Sequence, residues 1–259
     1  MKLNMNKEEF RKFLLHAPQS KVMQYIEDVH PVDILDILRD DEEDAQDILG
    51  RLPENYIAQI IDEAETEEKY HFLMQFSENK QKNIMEAMSS DELTDLLGIL
   101  DEDQANKLLA RMTEEDARKV RQLLSYEPDT AAGIMATEFI CIKEYMNVEE
   151  TLRYLQANQE EMDNAYNLYV IDSLDRLKGV VSLKDLVSST FTTSIREIIQ
   201  TNVESIPYHM DQEEVGHLFE KYGYLTMPVV DHIGRLLGIV TVDDVMQILR
   251  DENTEDIHK

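Results

Sequence analysis

The feature that most constrains the fold is a tandem repeat in the second half of the chain. The segment YVIDSLDRLKGVVSLKDL begins at Tyr169 and superposes without a gap on MPVVDHIGRLLGIVTVDDV, which begins at Met227, at an offset of 59 residues. Each copy holds two Val- and Ile-rich runs separated by a turn and followed by an amphipathic segment, which predicts strand, turn, strand and helix. A further amphipathic helix is predicted before each copy, at 148–157 and 211–222. The repeat therefore predicts two α/β units of about 60 residues each.

The first half of the chain predicts helices only. Two of the eight glycines, Gly50 and Gly98, precede residue 128, and apolar residues before it recur three and four apart. A weaker repeat relates DILDILRDDEEDAQDILGRL, from Asp33, to ELTDLLGILDEDQANKLLARM, from Glu92. Such spacing is typical of a small superhelix of stacked helix pairs, although any two amphipathic helices share part of this pattern.

Composition excludes several classes of function. The 54 acidic and 25 basic residues give a net charge of −29, with −15 in 1–127 and −14 in 128–259. A chain so acidic has no excess of Lys and Arg for binding nucleic acid or anionic lipid, and favours cations or basic surfaces instead. A single cysteine, Cys141, excludes an internal disulfide framework. The sequence contains no run of 18 apolar residues, so it predicts no transmembrane helix.

The β-α-β-β-α units resemble the CBS domain. The match rests on a glycine, a hydroxyl residue and an aspartate at the same places in both copies, namely Gly179, Ser182 and Asp185, and Gly238, Thr241 and Asp244. The resemblance implies a CBS pair that binds an adenine nucleotide such as ATP. Lys184 and Asp185 are the candidate residues, for phosphate and ribose respectively; a capping role for Asp185 is an equal alternative.

The whole chain resembles the cytosolic region of MgtE-type magnesium transporters. The segment EPDTAAGIMATEFICI at Glu127–Ile142, the end of the chain at Gly238–Lys259, and the order of the parts carry this resemblance. It implies an α + α/β multidomain fold, with an all-α superhelical N-terminal domain followed by a tandem CBS pair. The expected bounds are 1–127 for the helical domain, 128–198 and 199–253 for the CBS domains, and 254–259 for the start of a connecting helix.

The resemblance also implies a set of Mg²⁺ ligands, matched position by position. They are Asp91, Asp95, Glu213, Asp244, Glu252, Glu255 and Asp256. Three departures put some sites in doubt, because Gln59, Gly223 and Gln247 stand where relatives can have acids.

The residues alone leave alternatives open for several of these candidates. Asp91 is equally a helix cap, and Asp244 is a metal ligand, a cap or a nucleotide ligand. Asp95 favours a ligand role, since no basic residue follows it three or four positions on. Glu255 and Asp256 also fit a solvated, frayed chain end.

Together these features predict an Mg²⁺-sensing region on the cytoplasmic side of the cell membrane. We expect a homodimer formed through the CBS domains and tethered to its own membrane pore, in which Mg²⁺ bridges acidic surfaces and favours pore closure. The alternative is an adenine-nucleotide-sensing CBS adaptor whose helical domain binds a protein. No catalytic constellation, Walker-type loop or paired histidines appear in the sequence, so an enzyme is not expected.

Overall fold

The computed structural model describes residues 5–40, 42–158 and 167–249, with side chains described from residue 44 onward in the second stretch. The chain divides into two compact units, Met1–Arg121 and Gln122–Lys259. No helix among the described residues is long and apolar enough to cross a membrane.

The described part of the first unit is a series of ten short helices. They are α1 Lys7–His16, α2 Gln19–Ile26, α3 Pro31–Asp40, α4 Glu42–Gly50, α5 Glu54–Asp62, α6 Thr66–Met74, α7 Glu78–Ala87, α8 Ser90–Gly98, α9 Glu102–Leu109 and α10 Glu114–Leu123, the last of which runs into the second unit. Helix α5 packs against α3 and α7, and α6 packs against α8. This contact between every second helix is typical of a superhelical stack, so the predicted all-α first half is confirmed.

Local sequence explains where these helices begin and what they bury. Asn6 and Asp101 each accept a hydrogen bond from the backbone three residues on and complete a capping box. Helix α5 follows Pro53 and buries one apolar face, made of Tyr56, Ile57, Ala58, Ile60 and Ile61. Because helices this short are marginal alone, burial of such faces supplies most of their stability.

The described part of the second unit contains two three-stranded sheets of the same topology. Its elements are β1 Cys141–Lys143, α11 Val148–Ala157, β2 Leu168–Ile171, β3 Leu177–Val181, α12 Leu183–Ser188, α13 Ile195–Ile198, β4 Ile206–Pro207, α14 Gln212–Tyr222, β5 Thr226–Val230 and β6 Leu236–Thr241, followed by helical residues 242–249. In each sheet a parallel pair, β1–β2 or β4–β5, is joined to an antiparallel hairpin, β2–β3 or β5–β6. The predicted strand, turn, strand and helix are confirmed in both copies.

The two hairpins are equivalent in detail. Ile171 pairs with Leu177 after a register shift, and Val230 pairs with Leu236 after the same shift 59 residues later. Arg176 Nε donates to Asp172 Oδ2 at 2.8 Å in one turn, and the equivalent Arg235–Asp231 bond is 2.7 Å in the other.

Each sheet is also joined to the segment that precedes the other sheet. Val180 of β3 pairs with Gln200, which precedes β4, and Ile239 of β6 pairs with Ala136, which precedes β1. A Cβ atom on Gly238 would lie only 2.7 Å from the Ala136 carbonyl oxygen, so this close approach requires glycine. The glycine of the repeat therefore allows the exchange of segments between the two sheets.

Candidate functional site

Helix α8 carries the predicted acidic pair of the first unit. Asp91 lies in its first turn and is 9 % exposed, whereas Asp95, one turn further on, is exposed. The helix begins after Ser89, whose backbone N and Oγ both donate to Asp62 Oδ2, at 3.1 and 3.0 Å. Asp62 thus adds a further carboxylate at the N-terminal end of α8, where the helix dipole favours negative charge.

A buried lysine faces this acidic helix. Lys69 of α6 is 2 % exposed, and its Nζ forms an ion pair with Glu92 in the first turn of α8. Desolvation lowers the pKa of Lys69, while nearby carboxylates, that of Asp95 foremost, act to raise it.

Asp95 therefore has a positive neighbour that its own helix does not supply. Although its side chain meets solvent, surrounding protein displaces water from the carboxylate and raises its pKa, and the Lys69 ammonium opposes this rise. Sequence reasoning missed Lys69, because it lies 26 positions before Asp95 and becomes a neighbour only through helix packing.

The two CBS aspartates occupy equivalent positions. In the first copy, Ser182 Oγ accepts a hydrogen bond from the backbone N of Asp185 at 3.0 Å and donates to Asp185 Oδ2 at 2.8 Å. In the second copy, the Thr241 hydroxyl donates to a carboxylate oxygen of Asp244. Both aspartates thus contact the hydroxyl residue three positions before them, and in the first copy that residue, Ser182, is the N-cap of α12. A capping role for the aspartates themselves stays a prediction.

Asp185 has a further polar neighbour. Gln200 Nε2 donates to its Oδ2 at 3.2 Å, so the segment exchanged between the sheets also reaches this carboxylate. Lys184, the adjacent candidate, is exposed. Serine, aspartate and glutamine therefore form one polar group at the beginning of α12.

Of the remaining candidates, Glu213 is the one that lies within the described residues. Glu213 is exposed in the first turn of α14, where its backbone N donates to Asp211 Oδ1 at 2.8 Å. Glu252, Glu255 and Asp256 lie outside the described residues, so their roles stay predictions.

Gly223, one of the three departures, has a structural reason. It ends α14 in the left-handed conformation with φ of 65°, and its backbone N donates to the Phe219 carbonyl. Since glycine is the residue that adopts this conformation most readily, an acid here would strain the helix end.

Comparison with known families assigns both halves of the chain. Residues 4–129 match the model of the MgtE intracellular N domain, and residues 131–190 and 195–251 each match the CBS domain.

Similar proteins are found among magnesium transporters. The chain is 37 % identical over 240 residues to the magnesium transporter MgtE of Thermus thermophilus, covering 91 % of this chain and 53 % of the relative. The chain is 32 % identical over 235 residues to the magnesium transporter MgtE of Bacillus subtilis, covering 90 % of this chain and 52 % of that relative. The chain thus spans about half the length of the relatives it matches.

Two solved structures resemble nearly the whole chain. One, described as the soluble part of a magnesium transporter, superposes with a TM-score of 0.85 at 30 % identity and covers 95 % of this chain and 99 % of its own. The other is the cytosolic domain of the Mg²⁺ channel MgtE in complex with ATP. It superposes with a TM-score of 0.84 at 32 % identity and covers 94 % of this chain and 100 % of its own.

Proposed function

This chain belongs to the family of MgtE cytosolic regions, in which an MgtE intracellular N domain precedes a CBS pair, and we propose that it senses intracellular Mg²⁺ for a magnesium transporter. The observation that carries the proposal is the likeness to the cytosolic domain of a Mg²⁺ channel along 94 % of the chain. The proposed role is regulatory and involves no bond making or breaking. It puts the chain on the cytoplasmic side of the cell membrane, joined to a pore.

The chemistry of the acidic residues supports Mg²⁺ as the ligand. Mg²⁺ prefers oxygen ligands, keeps several bound waters and usually takes only one or two carboxylates from a protein. Asp91 and Asp95 on α8, with Glu213 and Asp244 of the CBS pair, supply such carboxylates. We propose that these residues, with Glu252, Glu255 and Asp256, bind the ion.

The proposed mechanism is electrostatic. Two like unit charges about 4 Å apart repel by about 4 kcal/mol at an effective dielectric constant of about 20, and a divalent cation between them reverses the sign. Mg²⁺ therefore favours a state in which acidic surfaces of the two domains are bridged, and this population shift favours a closed pore.

We further propose that the CBS pair forms a homodimer. Exposed apolar side chains support this, since Leu183, Val187 and Phe191 around α12 are 37 %, 71 % and 65 % exposed. A second copy of the chain would bury these side chains, which cost free energy in water.

Limited proteolysis tests the Mg²⁺ response. We expect Mg²⁺ to slow cleavage near residues 127–129, which are exposed and lie close in the chain to the start of the second unit, because the bridged state restrains this part of the chain. The variant Asp91→Asn/Asp95→Asn should lose most of this protection, whereas the control variant Glu149→Gln, at an exposed position of α11, should keep it. Equal protection by NaCl at the same ionic strength would contradict the proposal.

A second ligand, an adenine nucleotide, is proposed for the first CBS copy. The Ser182, Asp185 and Gln200 group supports it, because a carboxylate beside hydroxyl and amide groups can accept hydrogen bonds from a ribose, with Lys184 near the phosphates. A similar cytosolic domain is described in complex with ATP. In the alternative function, a CBS adaptor that senses an adenine nucleotide, this nucleotide would be the regulatory ligand and Mg²⁺ would have no specific effect.

Calorimetry with ATP tests the nucleotide site. We expect binding that Asp185→Ala weakens by at least about tenfold, which is the loss of about 1.4 kcal/mol. The equivalent change in the second copy, Asp244→Ala, serves as the matched control and should leave ATP affinity unchanged. Equal effects of the two substitutions, or none, would rule out Asp185 as a ribose ligand.

A further inference from the structure

We propose that Lys69 is a tethered cation that occupies the acidic face of α8 and weakens its binding of divalent metal. The inference rests on the proposed function for the identity of that metal. It gives Lys69 a tuning role, since the residue would set the Mg²⁺ concentration at which the carboxylates of α8 respond.

The position of Lys69 differs from that of typical surface lysines. Its side chain is 3 % exposed and its partner Glu92 is 20 % exposed, and the two belong to different helices. By contrast, Lys119 pairs with Glu115 one turn away on α10, and both side chains are more than 60 % exposed. Lys69 is therefore held by the packing of α6 against α8.

Several carboxylates act electrostatically on this ammonium group. Besides Glu92, Lys69 interacts electrostatically with four acidic residues, namely Asp95, Asp62, Asp91 and Glu65. A buried ammonium loses its hydration, and only nearby negative charge compensates for that loss. Lys69 is thus the positive centre of an acidic cluster within the first unit.

The arrangement has two consequences for a divalent ion. Glu92 is engaged by Lys69, so the ion competes with an internal cation for that carboxylate. An ion approaching Asp91 or Asp95 also meets the repulsion of a fixed positive charge in surroundings partly depleted of water. Both effects reduce affinity, and both disappear when the charge of Lys69 is removed.

The substitution Lys69→Met tests this directly, because it keeps most of the side-chain length and removes the charge. In Mg²⁺ calorimetry on the full chain, we expect the dissociation constant of the tightest site to fall by about tenfold. Without metal the unbalanced carboxylates should lower Tm, and saturating Mg²⁺ should raise Tm more than in the unsubstituted chain. The control Lys119→Met removes an exposed lysine of the same unit and should change neither the Mg²⁺ dissociation constant nor Tm.

Two further variants complete the test. Lys69→Met/Glu92→Gln restores the original charge balance, so its Mg²⁺ affinity should return to that of the unsubstituted chain. Glu92→Gln alone leaves Lys69 without its ion-pair partner and should weaken Mg²⁺ binding, which provides a test if Lys69→Met fails to fold.

Three outcomes separate this inference from the proposed function. Unchanged Mg²⁺ affinity in both Lys69→Met and Glu92→Gln would overturn the inference while leaving Mg²⁺ sensing intact. Tighter binding in Lys69→Met that persists in the double variant would also overturn it, because charge balance would then not be the cause. A chain that binds Mg²⁺ only after Lys69→Met would support the inference and contradict the proposed function.

Discussion

At the scale of single residues, the two hairpin turns repeat one electrostatic arrangement. The Oδ1 atom of Asp172 accepts hydrogen bonds from the backbone N of Leu174 and Arg176, and that of Asp231 accepts the equivalent pair. Burial acts to raise the pKa of each aspartate, but these backbone bonds and the arginine side chain outweigh it, so the pKa of both is lower than usual. The repeated Asp and Arg therefore stabilise the two turns.

This arrangement predicts how acid affects the second unit. A carboxylate whose folded-state pKa is lowered stabilises the fold above its ordinary pKa of about 3.9, and this stability is lost as pH falls through the folded-state value. We expect Asp172→Asn/Asp231→Asn to lower Tm at pH 7 and to flatten its decline below about pH 4. Thermal unfolding followed by circular dichroism between pH 7 and pH 3 measures both effects, and parallel curves for the two proteins would contradict the prediction.

At the scale of elements, the sequence predicted the helices and hairpins that depend on residues close together in the chain. The hairpins β2–β3 and β5–β6 and the helices of the first unit follow from local alternation and helical spacing. The contacts of Val180 with Gln200 and of Lys69 with Glu92 could not be predicted, because they join segments brought together only by packing. The residues of the candidate site on α8 likewise include some that the sequence predicted and one that it did not. Spacing placed Asp91 and Asp95 on one helix, and packing placed a lysine beside them.

A buried hydrogen bond between strands gives a prediction at this scale. Tyr169 of β2 and Thr226 of β5 share a hydrogen bond of 3.0 Å between their hydroxyl groups, and desolvation raises the pKa of the tyrosine. Tyr169→Phe leaves the Thr226 hydroxyl without this partner and should cost about 1–3 kcal/mol in the free energy of unfolding.

The double substitution Tyr169→Phe/Thr226→Val is the matched control. It removes both polar partners together and should restore part of the lost stability, because no buried hydroxyl is left without its partner. Urea unfolding of the four proteins of this cycle measures the coupling. Strictly additive losses would show that the hydrogen bond does not join the two CBS copies energetically.

At the scale of the whole molecule, the distribution of charge is the feature to be explained. The net charges of −15 and −14 in the two halves of the sequence oppose their close approach, and salt screens this repulsion over about 10 Å at 0.1 M ionic strength. A divalent cation acts differently from such screening, because it binds carboxylates directly. Under the proposed function, the acidity of the chain is the means by which it senses Mg²⁺.

Small-angle X-ray scattering during a Mg²⁺ titration at constant ionic strength tests this claim most directly. We predict that the radius of gyration of the chain falls as Mg²⁺ binds, and that Asp91→Asn/Asp95→Asn/Asp244→Asn reduces the change. A radius of gyration that stays constant with Mg²⁺, or that falls equally with NaCl alone, would contradict the proposal that Mg²⁺ bridges the two acidic domains.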